Sequence, residues 1–197
     1  MGELDILAGI VASDGHIYKN KLAFCIVNKN LEFLEQSVIP LIQTIVNKTP
    51  EPKFVSSGFS DGKYKITVCS TKLIKILNDV YMIPAGAKSS LIKPPNILAF
   101  QQIFDYIGGW IAGDGCVTKD RTRPKIEIWS NDLVMLEWFK DVFSKCSIDS
   151  ILLFEKRKKR HILRIGRKES IKTFHDKFRI PHPDKQKKLE MFVKAIS

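Results

Sequence analysis

Residues 7–15 read LAGIVASDG and residues 107–115 read IGGWIAGDG, so Asp14 and Asp114 stand 100 positions apart. The likeness continues downstream. HIYKNKLAFCIVNKN follows the first stretch and CVTKDRTRPKIEIWSND the second, and both alternate in polarity. Helical segments come next, LEFLEQSVIPLIQTIV and LVMLEWFKDVFSKC, with Leu31 and Leu133 offset by 102. Strand-like pieces follow, KFVSSGFSDGKYKITVCS and ILLFEKRKKRHILRIG. Finally TKLIKILNDVYMIPAGAK matches ESIKTFHDKFRIPHPDK, Ile83-Pro84 lying 97 residues before Ile180-Pro181. Matched segments that drift by so little indicate a duplication. The chain divides into repeats 1–95 and 96–197, each reading αββαββα. Between them Pro94-Pro95 cannot continue a helix, and the next helix should open near Ala99–Phe104.

Within each repeat the strand phases assign two faces. Phe24 and Ile26 alternate with Ala23, Cys25 and Val27; Ile126 and Ile128 alternate with Lys125, Glu127 and Trp129. Tyr64, Ile66 and Val68 alternate with Lys63, Lys65 and Thr67. One face of each sheet is therefore apolar and needs helices over it. The other is basic. FSDGKY and EKRKKRH read as hairpin tips. The fold class expected is α+β, with two antiparallel sheets.

The duplicated apolar stretch carries small residues one turn apart, Ala8/Ala12 and Gly9/Ser13, then Gly108/Ala112 and Gly109/Gly113. Such strips let two helix backbones approach closely. If the repeats pack through them about a pseudo-twofold axis, Asp14 and Asp114 emerge side by side. Both then face the negative end of a helix dipole as well as each other, which is unfavourable unless a cation lies between them. Hard oxygen ligands point to Mg²⁺ rather than zinc.

Composition narrows the class of partner. With 32 Lys+Arg against 21 Asp+Glu the net charge is +11, and 44 % hydrophobic with 27 % charged residues is ordinary globular material. Residues 1–99 hold 11 Lys and 8 acids, whereas 100–197 hold 21 Lys+Arg, all 7 arginines among them, and 13 acids. A polyanion, nucleic acid first, is the expected partner. No apolar run approaches the ~20 residues of a membrane span. MGELDILAG has no basic n-region, so a soluble, cytoplasmic, DNA-associated protein is expected. Cys25, Cys69, Cys116 and Cys146 form no C-x-x-C pair and no metal spacing with His16, His161, His175 or His182, and are read as buried thiols.

LAGIVASDG and IGGWIAGDG resemble the two signature helices of a single-chain LAGLIDADG homing endonuclease, and the resemblance covers nearly the whole chain. The second copy departs from the motif at Ile107-Gly108 and Trp110. The resemblance implies two pseudo-symmetric repeats joined at the signature helices, their four-stranded sheets forming a saddle over the DNA major groove. It implies a monomer that cuts both strands of a long, near-palindromic or asymmetric target in intron or intein homing. Divalent metal, two or three Mg²⁺ shared between the repeats, falls to Asp14 with the carbonyl of Ser13 and to Asp114 with that of Gly113. The catalytic positions at the second strand's end map to Asn28 and Ser130, the latter shorter than the usual Gln/Asn. The catalytic lysines map to Lys88 and to Lys185, with Lys187 and Lys188 beside it. The same family admits an RNA-binding intron maturase, whose partner would be intron RNA, and a catalytically silent DNA-binding module.

Recognition is expected from the polar sheet faces: Lys19, Lys21, Lys63, Lys65 and Thr67 in the first repeat, and Lys119, Arg121, Arg123, Lys125, Glu127, Trp129 and Arg164 in the second. The run Lys156, Arg157, Lys158, Lys159 and Arg160 reads as a phosphate clamp. Glu127 is an acceptor for cytosine, a group that orients neighbouring Lys125, or half of a cross-strand ion pair.

Overall fold

The computed structural model describes residues 2–88, 91–97, 99–120 and 123–196, without the side chains of Phe59 and Asp120. The first repeat runs α1 (Gly2–Asp14), β1 (Gly15–Ile17), β2 (Ala23–Asn28), α2 (Leu31–Phe33), a π-helical turn (Leu34–Val38) and α3 (Ile39–Val46). It continues with β3 (Lys53–Val55), a 3₁₀ turn (Gly58–Ser60), β4 (Lys63–Cys69) and α4 (Thr71–Asp79). The second repeat runs α5 (Phe100–Asp114), β5 (Gly115–Asp120), β6 (Arg123–Ser130), α6 (Leu133–Lys145), β7 (Ile151–Glu155), β8 (Arg160–Ile165), α7 (Lys168–Lys177) and α8 (Pro183–Ile196).

Local chemistry sets these boundaries. Asn30, Ser70 and Asp132 each accept a hydrogen bond from a backbone N–H of the following helix, capping α2, α4 and α6. Pro40 lacks the N–H that an α-helix would use, and the π turn lies directly before it. Asn47, at φ 52°, ends α3 in the left-handed region.

Both sheets have four antiparallel strands, ordered β1-β2-β4-β3 and β5-β6-β8-β7. The register places Ile26 opposite Ile66, and Ile128 opposite Leu163, on the helix-covered faces. Those residues are 0–1 % exposed. The expected hydrophobic phase is the observed one. No helix among the described residues is long and apolar enough to cross a membrane.

The centre of the molecule is the packing of α1 on α5. Leu7, Ile10 and Val11 of α1 are fully buried, as are Tyr106, Ile107 and Ile111 of α5. A helix apolar all round belongs inside, and only a close neighbour can cover it. Glycine permits that approach. A Cβ on Gly9 would overlap the Tyr106 carbonyl and lie 2.7 Å from the Trp110 nitrogen. One on Gly109 would overlap the Ile6 carbonyl. The strip on α5 is narrower than expected, however. Gly108 faces away from α1, toward the Arg179 carbonyl, and admits the segment leading into α8.

Replacing Gly109 with Ala should destabilise the protein by about 3 kcal/mol or more, at the upper end for overpacking, because the obstacle is backbone. Urea denaturation checks this, with Gly166→Ala as the comparison, since a Cβ there meets nothing within 4 Å.

Three expectations need correction. The second repeat carries an additional helix, α8, where the described residues of the first form none. Pro183 at the first helical position and Asp184 in the first turn start it, whereas Gly86, at φ 85°, turns the matching segment. The cysteines are not all buried: Cys69 is exposed and Cys116 half-buried. The tip at FSDGKY is a wider loop than a tight turn, closed by Gly62 N–H donating to the Val55 carbonyl at 2.9 Å.

Candidate active site and nucleic-acid interface

Asp14 and Asp114 are the final residues of α1 and α5. The helix ends touch: a Cβ on Gly113 would overlap Ser13 Oγ and sit 3.0 Å from the carboxyl carbon of Asp14. Both carboxylates open on a recess of about 600 Å³ lined also by Ser13, His16, Tyr18, Lys65 and Lys88. Asp14 also lines a second recess of about 420 Å³, with Asn28, Gly113, Cys116, Trp129 and Lys185. Burial raises both carboxyl pKa values. For Asp14 the facing Asp114 adds to burial, and the value reaches about 6 despite Asn28 and the two lysines. For Asp114, Lys88, Lys185 and Arg160 oppose the rise.

Lys88 and Lys185 arrive by different routes at matching places. The chain before Lys88 is pinned to β1, with Gly86 N–H donating to the Ile17 carbonyl at 2.8 Å. Lys185 projects from the first turn of α8. The Lys88 ammonium donates to the carbonyls of Val11, Ala12 and Ser13 at 3.1, 2.9 and 2.8 Å. The Lys185 ammonium donates to those of Ile111, Ala112 and Gly113 at 3.0, 2.6 and 2.9 Å. These carbonyls lie in the last turn, where a helix runs out of backbone donors, although Ile111 also accepts from the Gly115 N–H. Each lysine closes the end of one signature helix. Burial lowers both ammonium pKa values to about 8, against the pull of the carboxylates.

Asn28 Nδ2 donates to Asp14 Oδ2 at 2.7 Å, and its Oδ1 accepts from Asn30 N–H at 2.8 Å. Ser130 is not placed equivalently. Its hydroxyl accepts from Asp132 N–H at 2.9 Å and is turned to the start of α6. The carbonyls of Ser13 and Gly113, expected toward metal, each accept a lysine hydrogen bond.

The basic faces flank this centre. Lys63, Lys65 and Thr67 lie on the uncovered face of β4, beside Val27 and Cys25 in the register. Lys19 and Lys21 are exposed in the β1–β2 turn. Lys119 and Arg123 are exposed near the β5–β6 tip, and Arg121 lies outside the described residues. Lys156, Arg157, Lys158 and Lys159 are exposed on the β7–β8 turn. Arg160 is not part of that solvated run. It is the first residue of β8, pairs with Glu155 at 2.6 Å and stacks over the Trp129 ring at 4.4 Å. Glu127, 7 % exposed, accepts from Arg164 Nε at 2.8 Å and lies 3.3 Å from Lys125 Nζ. In the free protein Glu127 thus forms the cross-strand ion pair and holds Lys125 beside it.

Sequence reasoning overlooked two site-lining groups. Tyr18 lies under Lys65, whose ammonium is 5.6 Å from the ring centroid, a cation–aromatic pair comparable to Arg160 on Trp129. Its position two residues after His16 in an alternating segment was the available signal. His182 is buried against Phe33, the rings stacked at 4.7 Å. Burial drops its pKa to about 4, so it is neutral near pH 7.

Residues 101–179 match the family model described as a LAGLIDADG-like domain. Among solved structures, mesophilic variants of the homing endonuclease I-DmoI superpose with a TM-score of 0.66 at 19 % identity, covering 96 % of this chain and 97 % of that one. I-DmoI in complex with DNA and Ca gives 0.62 at 19 % identity over 89 % and 88 % of the two chains. Full-length DUF199/WhiA from Thermatoga maritima gives 0.67 at 14 % identity, covering 100 % of this chain and 60 % of that one. No curated protein gives a match. The match to the LAGLIDADG-like domain model thus lies within the second repeat, and the whole chain shares the two-repeat fold of these structures.

Proposed function

We propose that the chain is a site-specific double-strand DNA endonuclease that hydrolyses phosphodiesters with the help of Mg²⁺, acts as a monomer and uses residues 1–95 and 96–197 as its two halves. The supporting observation is the pair of half-buried carboxylates at twinned helix ends, between two basic sheet faces. A chain that only bound DNA would gain nothing from setting two acids there, since they repel phosphate. Structures of I-DmoI with DNA, and with Ca, Mn or Mg, carry the same fold.

The donor set suits a hard divalent ion, since the two facing carboxylates offer oxygen ligands. Asp14 and Asp114 would hold it, with phosphate and water oxygens completing the shell. When bound, such an ion supplies Lewis acidity and a more acidic water for in-line attack on phosphorus. The chain does the rest. Asn28 fixes one oxygen of Asp14, and Lys88 and Lys185 hold the helix ends in line. Lys65 and Arg160, each resting on an aromatic ring, offer charge to the phosphates flanking the cleavage points. His182, neutral and stacked, serves packing.

Incubating a plasmid library of randomised inserts with the protein and Mg²⁺ tests the reading. Discrete linear products are expected, and intact supercoiled plasmid throughout would refute it.

The interface divides into clamp and reader. Replacing Lys156 and Arg157 should weaken all sequences alike and reduce the salt slope of log K by about two. Glu127→Gln should instead loosen Arg164, relaxing base preference at the pair Arg164 meets with little change in salt slope. Overlapping base-preference profiles of Glu127→Gln and its parent would make the ion pair purely structural.

A further inference from the structure

The two halves of the site are built from equivalent positions but are not chemically equal. Asn28 does two jobs at the end of β2. Its Oδ1 accepts from Asn30 N–H and shapes the turn into α2, and its Nδ2 fixes Asp14 Oδ2 at 2.7 Å. Ser130, at the end of β6, keeps only the first job, accepting from Asp132 N–H at 2.9 Å. A hydroxyl on one carbon is too short for both. Among the described residues no side chain hydrogen-bonds the Asp114 carboxylate.

Asp114, like Asp14, has space beside it. A recess of about 240 Å³ is lined by Asp114, Ser130, Ser13, Lys88, Trp110 and Asp132. Asp114 is attended by charge from Lys88, Lys185 and Arg160, which attracts it without fixing the direction of either oxygen. Asp14 has both charge and a directional bond. Reaction rates depend steeply on such alignment.

We propose that Ser130 makes the site asymmetric, so that the strand served by the Asp114 half is cut more slowly and a nicked duplex accumulates. Ser130 is thus a positioning residue that sets the order of strand cleavage. The proposal rests on the endonuclease reading and adds to it a difference between the strands.

The test uses a target recovered from the plasmid library, labelled at one strand's end and then at the other's, in single-turnover reactions with Mg²⁺. A strand-rate ratio of roughly tenfold is expected, the worth of one hydrogen bond to a charged group, with nicked duplex rising before linear product. Ser130→Asn should speed the slower strand and bring the ratio toward one, since the recess accommodates an amide. Asn28→Ser should slow the faster strand and reduce the ratio from the other side. Both variants are compared with the parent by thermal melting, so that a change in folding is not read as one in strand order. Equal strand rates in the parent overturn the proposal while leaving the endonuclease reading intact. So does a ratio that neither folded variant moves. Absence of product on either strand removes the endonuclease reading, and the strand order with it.

Discussion

Asn at position 14 or at position 114 should lower double-strand cleavage by roughly a thousandfold or more, the scale of losing a charged group aimed at the reacting centre. Binding of the duplex in Ca²⁺ should change only a few-fold, because affinity comes mainly from phosphate contacts on the sheets. Asp14→Asn should also make the free protein more stable near neutral pH. The folded pKa of Asp14, about 6, lies above its unfolded value near 4. The folded state therefore holds this proton more tightly than the unfolded state does. That advantage is complete below about pH 4 and is lost as pH rises to about 6. At pH 7.5 the ionised Asp14, buried against Asp114, is a cost that the amide does not carry.

Melting curves separate this from any general effect of the substitution. At pH 7.5 without divalent ions, Asp14→Asn should melt above the parent, and at pH 4 the two should converge. Adding Mg²⁺ or Ca²⁺ at pH 7.5 should raise the parent's Tm by linkage and leave that of the variant nearly unchanged. A parent as stable as Asp14→Asn at pH 7.5 would mean that the lysines already neutralise the pair. Full cleavage by Asp114→Asn would defeat the paired-carboxylate reading of the site.

Much of this geometry was legible in the residues. The offset of 100 between Asp14 and Asp114, with glycine at 9 and 109, implied that two helices must meet backbone to backbone, because nothing bulkier fits there. Period-two alternation placed the sheet faces, which depend on burial alone. What stayed hidden depended on who meets whom across the fold. That Ser130 turns to Asp132 N–H instead of Asp114 follows from side-chain length and the competing start of α6. That Gly108 serves the segment at Arg179 instead of α1 follows from how α5 is rotated in the packing. The basic run 156–160 looked uniform, yet its last member is drawn out of solvent by Glu155 and Trp129. The lysines were located by the IPAGAK/IPHPDK match, but their partners were not, since the carbonyls they bind lie over 70 positions away.

Those carbonyls change what the lysines are expected to do, and Lys185→Met shows how. An ammonium has three donors, and in each lysine all three are engaged by the last-turn carbonyls of α1 or α5. None is left for a water or a phosphate in this arrangement. Removing the cap from α5 leaves the Ala112 and Gly113 carbonyls short of a partner, while Ile111 keeps the Gly115 N–H, and a net loss of about 2–3 kcal/mol is expected once the relief of lysine desolvation is counted. The activity should fall too, through Asp14. Lys185 and Lys88 both hold the Asp14 pKa down from where burial and Asp114 would take it. Without Lys185 that pKa rises above about 6, so the acid limb of the kcat/KM profile should move to higher pH. Lys88→Met should act on α1 in the same way. A group that passed protons to the reacting oxygens would behave otherwise. Its loss would leave denaturation midpoints and the acid limb where they are and cost rate at every pH. A Lys185→Met protein as stable as its parent, with an unshifted acid limb and no cleavage, would return the lysine to a direct chemical role.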